Sequence, residues 1–200
     1  EKVRKAFLAN FTEMGEVGAR VTIYQGEDKV VDLWGGFTDE EQTKPWQEDT
    51  LVNTMSISKG VAAFAAHILA DRGLMDYEKP VATYWPEFSQ GGKEKMTVRQ
   101  VLGHQASLLF IDEAVPGDAL DFDVFAGKIA RQAPNWKPGT RCAYHSITIG
   151  FLVGTLIKRI DGRPIAQFIR EEITGPLGTD YILGAEDKDI GRIAPTIFNP

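Results

Sequence analysis

The sequence predicts an α+β fold in which a short helix and a β-hairpin precede a long, mostly helical region. Residues 2–14 place apolar side chains at three- and four-residue intervals, the spacing of an amphipathic helix. Residues 19–24 and 29–34 are β-branched and aromatic runs separated by turn-forming residues 25–28, which favours an antiparallel hairpin. After residue 55 the apolar segments have the length and spacing of helices.

Capping residues and breakers place the helices of the second region. The helix that opens at Ser56 is apolar on almost every side, so we expect it to be central and buried, with Gly73 closing it. Thr97 is a typical N-cap for the short helix that follows it. Three later helices are predicted over residues 122–131, 147–160 and 164–173.

The remaining segments read as connections. Residues 38–50 are polar, residues 106–121 are irregular, and residues 175–200 carry Gly, Pro and weak strand signals. Two or three strands cannot cover a core of this size. Either the sheet is small and covered by helices, or further strands belong to sequence outside these 200 residues.

Composition narrows the function classes. A hydrophobic content of 43% with 25% charged residues is typical of a globular protein, and a net charge of −6 without a basic block argues against nucleic acid or an anionic membrane as partner. The apolar run 60–70 is too short to span a bilayer. Cys142, the single cysteine, is expected to be a small buried packing residue. One cysteine excludes an internal disulfide, so the cysteine content does not distinguish a cytoplasmic protein from a periplasmic or secreted one whose leader has been removed.

Ser56-Ile57-Ser58-Lys59 is the motif that points most directly to chemistry. A serine hydroxyl in the first turn of a helix lies near unpaired backbone N–H groups and the positive end of the helix dipole, where an oxyanion is stabilised. Lys59 follows one turn later on the same face and can exchange a proton with that hydroxyl. The alternative is that Ser56 is only an N-cap and that Lys59 extends its amine to solvent.

Tyr144-His145-Ser146 is the second candidate group and follows a Pro-Gly turn. A tyrosine can accept and return a proton when a nearby ammonium stabilises its phenolate. The alternative is a half-buried core tyrosine whose hydroxyl donates to a backbone acceptor. Of the three histidines, His67 is expected in the core. No pair of histidines has metal-ligand spacing, so neither a metal nor a cofactor is expected.

The order of four segments resembles the serine β-lactamase and penicillin-binding-protein superfamily. They are the two motifs above, Trp34-Gly35-Gly36 upstream of them, and Val-Leu-Gly-His-Gln-Ala-Ser-Leu at 101–108 between them. Within it the chain is most similar to the class C β-lactamase-like branch, which includes family VIII carboxylesterases and D-amino-acid peptidases. The resemblance runs from about residue 17 to residue 183 and depends on the order and spacing of the motifs.

The resemblance implies an antiparallel sheet flanked by helices beside an all-helical lobe, with the active site in the cleft between them. Residues 1–55 would form the first part of the α/β lobe, residues 56–183 the helical lobe, and residues 184–200 the start of the return. The family's third motif, a Lys-Thr-Gly-like, His-x-Gly-like or Trp-x-Gly-like triplet, is not found after Tyr144. We therefore expect the chain to be the N-terminal portion of a longer protein whose closing strands lie elsewhere.

The resemblance also implies roles for the site residues. Ser56 matches the acylated nucleophile, Lys59 the lysine that deprotonates it, and Tyr144 the tyrosine that shares the proton. Ser146 stands where class C β-lactamases usually carry asparagine, and a hydroxyl cannot copy the paired donor and acceptor of an amide. His104 lies in what the resemblance makes a structural turn near the site.

The same resemblance gives the expected function: a serine hydrolase that forms an acyl-enzyme on small carboxylic esters. A β-lactamase or D-amino-acid peptidase acting on amides is the first alternative, and a non-catalytic binding domain is the second. His145 could face the site and tune substrate access, although neighbours on a turn point their side chains in different directions. The expected partner is a small ester or amide, with no nucleic acid and no membrane segment.

Overall fold

The structure is a computed structural model that describes residues 1–197, so the predicted segments 175–200 and 184–200 end outside the described residues. It contains two compact units. One comprises Glu1–Thr54 and the described residues after Gly184, and the other is Met55–Gly184.

The first unit contains the predicted helix and hairpin. Helix α1 spans Lys2–Glu13, and strands β1 (Gly18–Gln25) and β2 (Asp28–Gly36) pair antiparallel. The ring of Phe7, the buried residue of α1, packs edge-on against Phe11 at a centroid distance of 5.2 Å. The predicted helix and hairpin are therefore confirmed.

Gly36, the last residue of the Trp-Gly-Gly segment, has a structural role. Its φ is +82°, and a Cβ at this position would lie 2.1 Å from the carbonyl oxygen of Val17. Only glycine combines this backbone conformation with so close an approach. Glycine at position 36 therefore lets the end of β2 approach the backbone of Val17, just before β1.

The first unit also holds two short strands that pair in parallel, β3 (Leu51–Val52) and β4 (Ile193–Ala194), and a short helix at Asp187–Ile190. The sequence predicts weak strands after residue 175 but no partner for them. Two-residue strands carry too little periodicity to reveal their pairing.

The second unit is helical, and its helices begin close to the predicted residues. They are α2 (Ile57–Asp71), α3 (Val98–Leu102), α4 (Phe122–Arg131), α5 (Thr148–Asp161) and α6 (Ile165–Ile169). Shorter helical turns lie at Val81–Thr83, Pro86–Phe88, Asp118–Leu120 and Gly175–Leu177. The predicted cap of α3 is present as a capping box in which Thr97 and Gln100 exchange side-chain and backbone hydrogen bonds.

Helix α2 is buried on one face only. Ala65 and Leu69 are fully buried, whereas Phe64 is half exposed and His67 is exposed, with its Nδ1 2.6 Å from the hydroxyl of Tyr77. The predicted helix therefore contributes to the core, but through one face, and the expectation that His67 is a core residue is wrong. Alanine-rich faces pack closely without covering the whole helix, so composition alone overstates burial.

Helix α6 continues as a π-helical segment, Arg170–Thr174, where the sequence predicts one regular helix. The backbone N–H of Gly175 donates to the carbonyl oxygen of Arg170, and a Cβ on Gly175 would lie 2.7 Å from that oxygen. Glycine therefore permits the wider turn. Within residues 1–197 no helix combines the length and apolar character needed to cross a membrane.

Candidate active site

Ser56 and Lys59 form a hydrogen-bonded pair at the start of α2. Ser56 occupies the N-cap position, yet within residues 1–197 its side chain makes no capping hydrogen bond. Its Oγ instead accepts a hydrogen bond from Lys59 Nζ at 3.1 Å, and the Lys59 side chain is partly buried. Neither alternative from the sequence, a simple N-cap or a lysine directed to solvent, describes this arrangement.

Met55 precedes the pair in a strained backbone conformation. Its φ is +49°, in the left-handed region that a non-glycine residue adopts at a cost of about 1–3 kcal/mol. Sequence reasoning missed this residue because methionine carries no signal for a positive φ.

Tyr144 joins the pair and is 54% exposed, so it is not the core residue of the alternative reading. Hydrogen bonds with Ser56, first, and with Lys59 lower the pKa of the Tyr144 hydroxyl, and the charge of Lys59 acts in the same direction. Lys59 Nζ also lies 4.9 Å from the centroid of the tyrosine ring. The structure thus brings the three predicted residues into one hydrogen-bonded cluster through which a proton can move.

His104 lies beside this cluster. Its ring centroid is 5.2 Å from that of Tyr144, and its Nδ1 accepts a 3.0 Å hydrogen bond from the backbone N–H of His145. Burial, and secondly the charge of Lys59, lower the pKa of His104. The neutral ring therefore supports the backbone directly after Tyr144.

His145 is fully buried, so the suggestion that it faces the site is wrong. Its Nδ1–H donates to the carbonyl oxygen of Ala143 at 2.8 Å, and its Nε2 accepts from the backbone N–H of Leu108 at 3.1 Å. Burial is the main cause that lowers its pKa. Its side chain points away from the exposed Tyr144, as expected for neighbours on a turn.

Ser107 is a second residue that sequence reasoning missed. It is buried with φ +60°, its Oγ accepts from the backbone N–H of Trp136 at 2.7 Å, and its carbonyl accepts from the backbone N–H of Asn135 at 2.7 Å. These bonds tie the loop after His104 to the segment that leads to Tyr144. A lone serine in a loop gives no sequence signal for such a role.

Ser146 is exposed and lines a cavity of about 420 Å³ beside Lys59.

Cys142 is exposed, so the expectation that it packs in the interior is wrong. Its Sγ lies 3.5 Å from the carbonyl oxygen of Gly103. No cluster of three or more His, Cys, Asp or Glu side chains suited to a metal ion occurs in the described part of the chain.

Comparison with known proteins identifies the family. The family described as Beta-lactamase matches residues 6–194. The chain belongs to the Beta-lactamase family. A curated relative, "Esterase/beta-lactamase LipL" of Mycobacterium tuberculosis, is 39% identical over 199 residues, which are 99% of this chain and 46% of the relative.

Two solved structures share the fold of this Beta-lactamase family chain. A penicillin-binding protein homologue from Caulobacter crescentus has a TM-score of 0.94 at 41% identity, covering 98% of this chain and 53% of the other. A family VIII carboxylesterase has a TM-score of 0.93 at 41% identity, covering 98% and 55%. The predicted β-lactamase/transpeptidase-like α+β fold is therefore confirmed. The chain spans about half the length of these proteins.

Proposed function

We propose that the protein is a serine hydrolase that forms an acyl-enzyme and acts on small carboxylic esters. The single observation that supports this most is the cluster in which Lys59 Nζ lies 3.1 Å from Ser56 Oγ and the hydroxyl of Tyr144 bonds to both side chains. A hydroxyl in contact with two proton-transfer groups is the arrangement of an activated nucleophile.

In the acylation step, Ser56 Oγ attacks the carbonyl carbon of the ester, and its proton passes to the Lys59–Tyr144 pair. The oxyanion develops at the start of α2, where the helix dipole favours negative charge. The bond from the carbonyl carbon to the alcohol oxygen then breaks. The pair delivers the proton to that oxygen, so the alcohol leaves neutral and the acyl group stays on Ser56.

Deacylation repeats these steps with water as the nucleophile. Tyr144 is suited to take the proton of the water because Lys59, whose hydrogen bond and charge lower the pKa of Tyr144, remains beside it when Ser56 Oγ carries the acyl group. The new bond from the water oxygen to the acyl carbon replaces the bond to Ser56 Oγ. The proton returns to Oγ, and the carboxylic acid is released.

Two observations favour esters over amides. Ser146 stands where the resemblance places an asparagine in class C β-lactamases, and its single hydroxyl oxygen cannot present a donor and an acceptor at two separate atoms as the asparagine amide does. LipL carries "esterase" in its name, and one solved relative is a family VIII carboxylesterase.

Amide hydrolysis is the second candidate, as a β-lactamase or D-amino-acid peptidase. The names of LipL, which includes "beta-lactamase", and of the Caulobacter crescentus penicillin-binding protein homologue support it. A non-catalytic binding domain is the third candidate, but it leaves the contact between Ser56 and Lys59 without a purpose.

Steady-state kinetics with p-nitrophenyl acetate and with a chromogenic cephalosporin separate these candidates. We expect ester turnover with kcat/KM well above that for the cephalosporin, and a loss of at least about 10³-fold in Ser56→Ala. Ser89→Ala, at an exposed serine, is the matched control and should retain turnover. Preferred turnover of the cephalosporin would support the second candidate, and no turnover of either substrate would support the third.

A further inference from the structure

A groove of about 670 Å³ lies between α4, α5 and the helical turn Pro86–Phe88. It follows the second half of α5, whereas Tyr144 precedes the start of that helix. Ser56, Lys59 and Tyr144 are not among the described residues that line it. Its volume falls in the range of cavities that hold small molecules, so the groove is a candidate binding site separate from the proposed catalytic residues.

The apolar part of the lining consists mainly of small residues. Ala126, Gly127 and Ala130 share one face of α4 and line the groove. Trp85, which is 3% exposed, adds an aromatic side chain from the residue before the helical turn. Small side chains leave room for the apolar body of a ligand against α4.

Thr155 adds a buried hydroxyl without a partner to the lining. The residue is 5% exposed, and its Oγ1 is buried without a hydrogen-bond partner in residues 1–197. Thr148 of the same helix is also buried, but its Oγ1 donates to the carbonyl oxygen of Leu108 at 2.7 Å. A buried hydroxyl without a partner is costly, so a ligand atom that accepts from Thr155 Oγ1 would gain that free energy.

The charged part of the lining has an excess of cations. Among the described residues, three cationic side chains line the groove against two carboxylates, those of Glu87 and Asp123. Lys158 Nζ lies 2.8 and 2.9 Å from the two oxygens of Asp123, and Arg159 Nη2 donates to Glu87 Oε1 at 2.8 Å. Both carboxylates therefore have cationic partners already, and the third cation, Arg131, has none inside the groove.

Arg131 directs N–H groups into the groove. Its Nε and Nη2 donate to Glu113, which is not among the described lining residues. Its Nη1 makes no hydrogen bond within residues 1–197 and lies 3.7 Å from the position that a Cβ on Gly127 would occupy. Arg159 likewise uses only Nη2 within the described part of the chain. Guanidinium groups with N–H groups to spare match the planar geometry of a carboxylate.

We propose that this groove binds an organic carboxylate with an apolar body. The carboxylate accepts hydrogen bonds from Arg131, Arg159 and Thr155, and the apolar body packs against the small side chains of α4. A neutral ligand would leave the guanidinium groups without an anionic partner, and a small inorganic anion would make no use of the apolar lining. The proposal is independent of the proposed hydrolase function, since no catalytic residue takes part.

Isothermal titration calorimetry with hexanoate tests the proposal. Hexanamide is the neutral control of the same shape, and inorganic phosphate is an anion without an apolar body. We expect saturable binding of hexanoate and binding weaker by at least about tenfold for each control. No saturable binding of hexanoate up to about 10 mM, or equal binding of either control, would overturn the proposal.

Two substitutions locate the binding site. Arg131→Gln should weaken hexanoate binding at least about tenfold. Arg99→Gln is the matched control, because Arg99 also forms an exposed ion pair, with Glu78, but does not line the groove. Gly127→Leu should abolish binding by filling the groove, and its Cβ would meet only Arg131 Nη1 at an ordinary contact distance. Hexanoate binding that is unchanged in Arg131→Gln or in Gly127→Leu lies elsewhere in the protein and overturns the proposal.

Thr155→Val separates a ligand-binding hydroxyl from a structural one. It should weaken hexanoate binding about threefold or more. Its urea midpoint without hexanoate should stay the same or rise, because the substitution removes a buried hydroxyl that has no partner. Thr148→Val is the matched control and should lower the midpoint, since the carbonyl of Leu108 loses its donor. A lowered midpoint in Thr155→Val, or unchanged hexanoate binding, would contradict the role given to Thr155 and with it the proposal.

Discussion

The buried imidazole of His145 accepts a hydrogen bond from the backbone N–H of Leu108 across 3.1 Å and donates another to the carbonyl oxygen of Ala143. One neutral side chain thus joins the loop after His104 to the residue before Tyr144. Because Tyr144 is the neighbour of His145, this pair of bonds fixes the position of the tyrosine backbone.

Replacing His145 by phenylalanine should destabilise the protein by about 1–3 kcal/mol, because the N–H of Leu108 would lose its buried acceptor. Urea unfolding of the two proteins measures this loss. His67→Phe changes an exposed histidine and should cost much less. Equal losses for the two variants would show that the contact between His145 and Leu108 is unimportant.

The free energy of unfolding should decrease in mild acid because folding lowers the pKa values of His104 and His145. The pKa values of His104 and His145 lie below the ordinary 6.5, so well above pH 6.5 both are neutral in the folded and unfolded states. As the pH falls below 6.5 the unfolded chain binds protons first, and the free energy of unfolding decreases toward the folded pKa values.

Urea midpoints measured between pH 7 and pH 5 test this expectation, since most carboxylates titrate at lower pH. His145→Phe should show a shallower decrease over the same range, because it lacks one of the two groups. A decrease as steep as that of the unmodified protein would contradict the assignment.

Lys59→Ala and Tyr144→Phe should each lower ester turnover by orders of magnitude, and the double variant should be little worse than the poorer single one. Side chains that act as one proton-transfer unit give strongly non-additive losses. Tyr24→Phe, at an exposed tyrosine of β1, is the matched control and should retain activity. Full additivity of the two losses would speak against a shared proton.

Much of the fold could be predicted from the sequence because local signals agree with the final structure. The hairpin has a clear change of period and a polar turn between its strands, and the capping box of Thr97 places α3. The Ser-x-x-Lys spacing brings Ser56 and Lys59 together because residues three apart lie on one helical face.

Other features depend on contacts between distant residues and could not be predicted. The side chain of Lys93 is fully buried, and its Nζ donates to the carbonyl oxygens of Gln90 and Gln132 at 2.9 and 2.6 Å. Burial lowers its pKa to about 8. The burial of His145 and the exposure of Cys142 likewise follow from how the loops pack.

The central claim, that Ser56 is the acylated nucleophile, is tested most directly by mass spectrometry of the protein after exposure to a p-nitrophenyl phosphonate. We expect one phosphonyl adduct on the peptide that contains Ser56, with loss of ester turnover in proportion to labelling and no adduct in Ser56→Ala. An adduct on any other residue that tracks the loss of turnover, or full turnover in Ser56→Ala, would contradict the account.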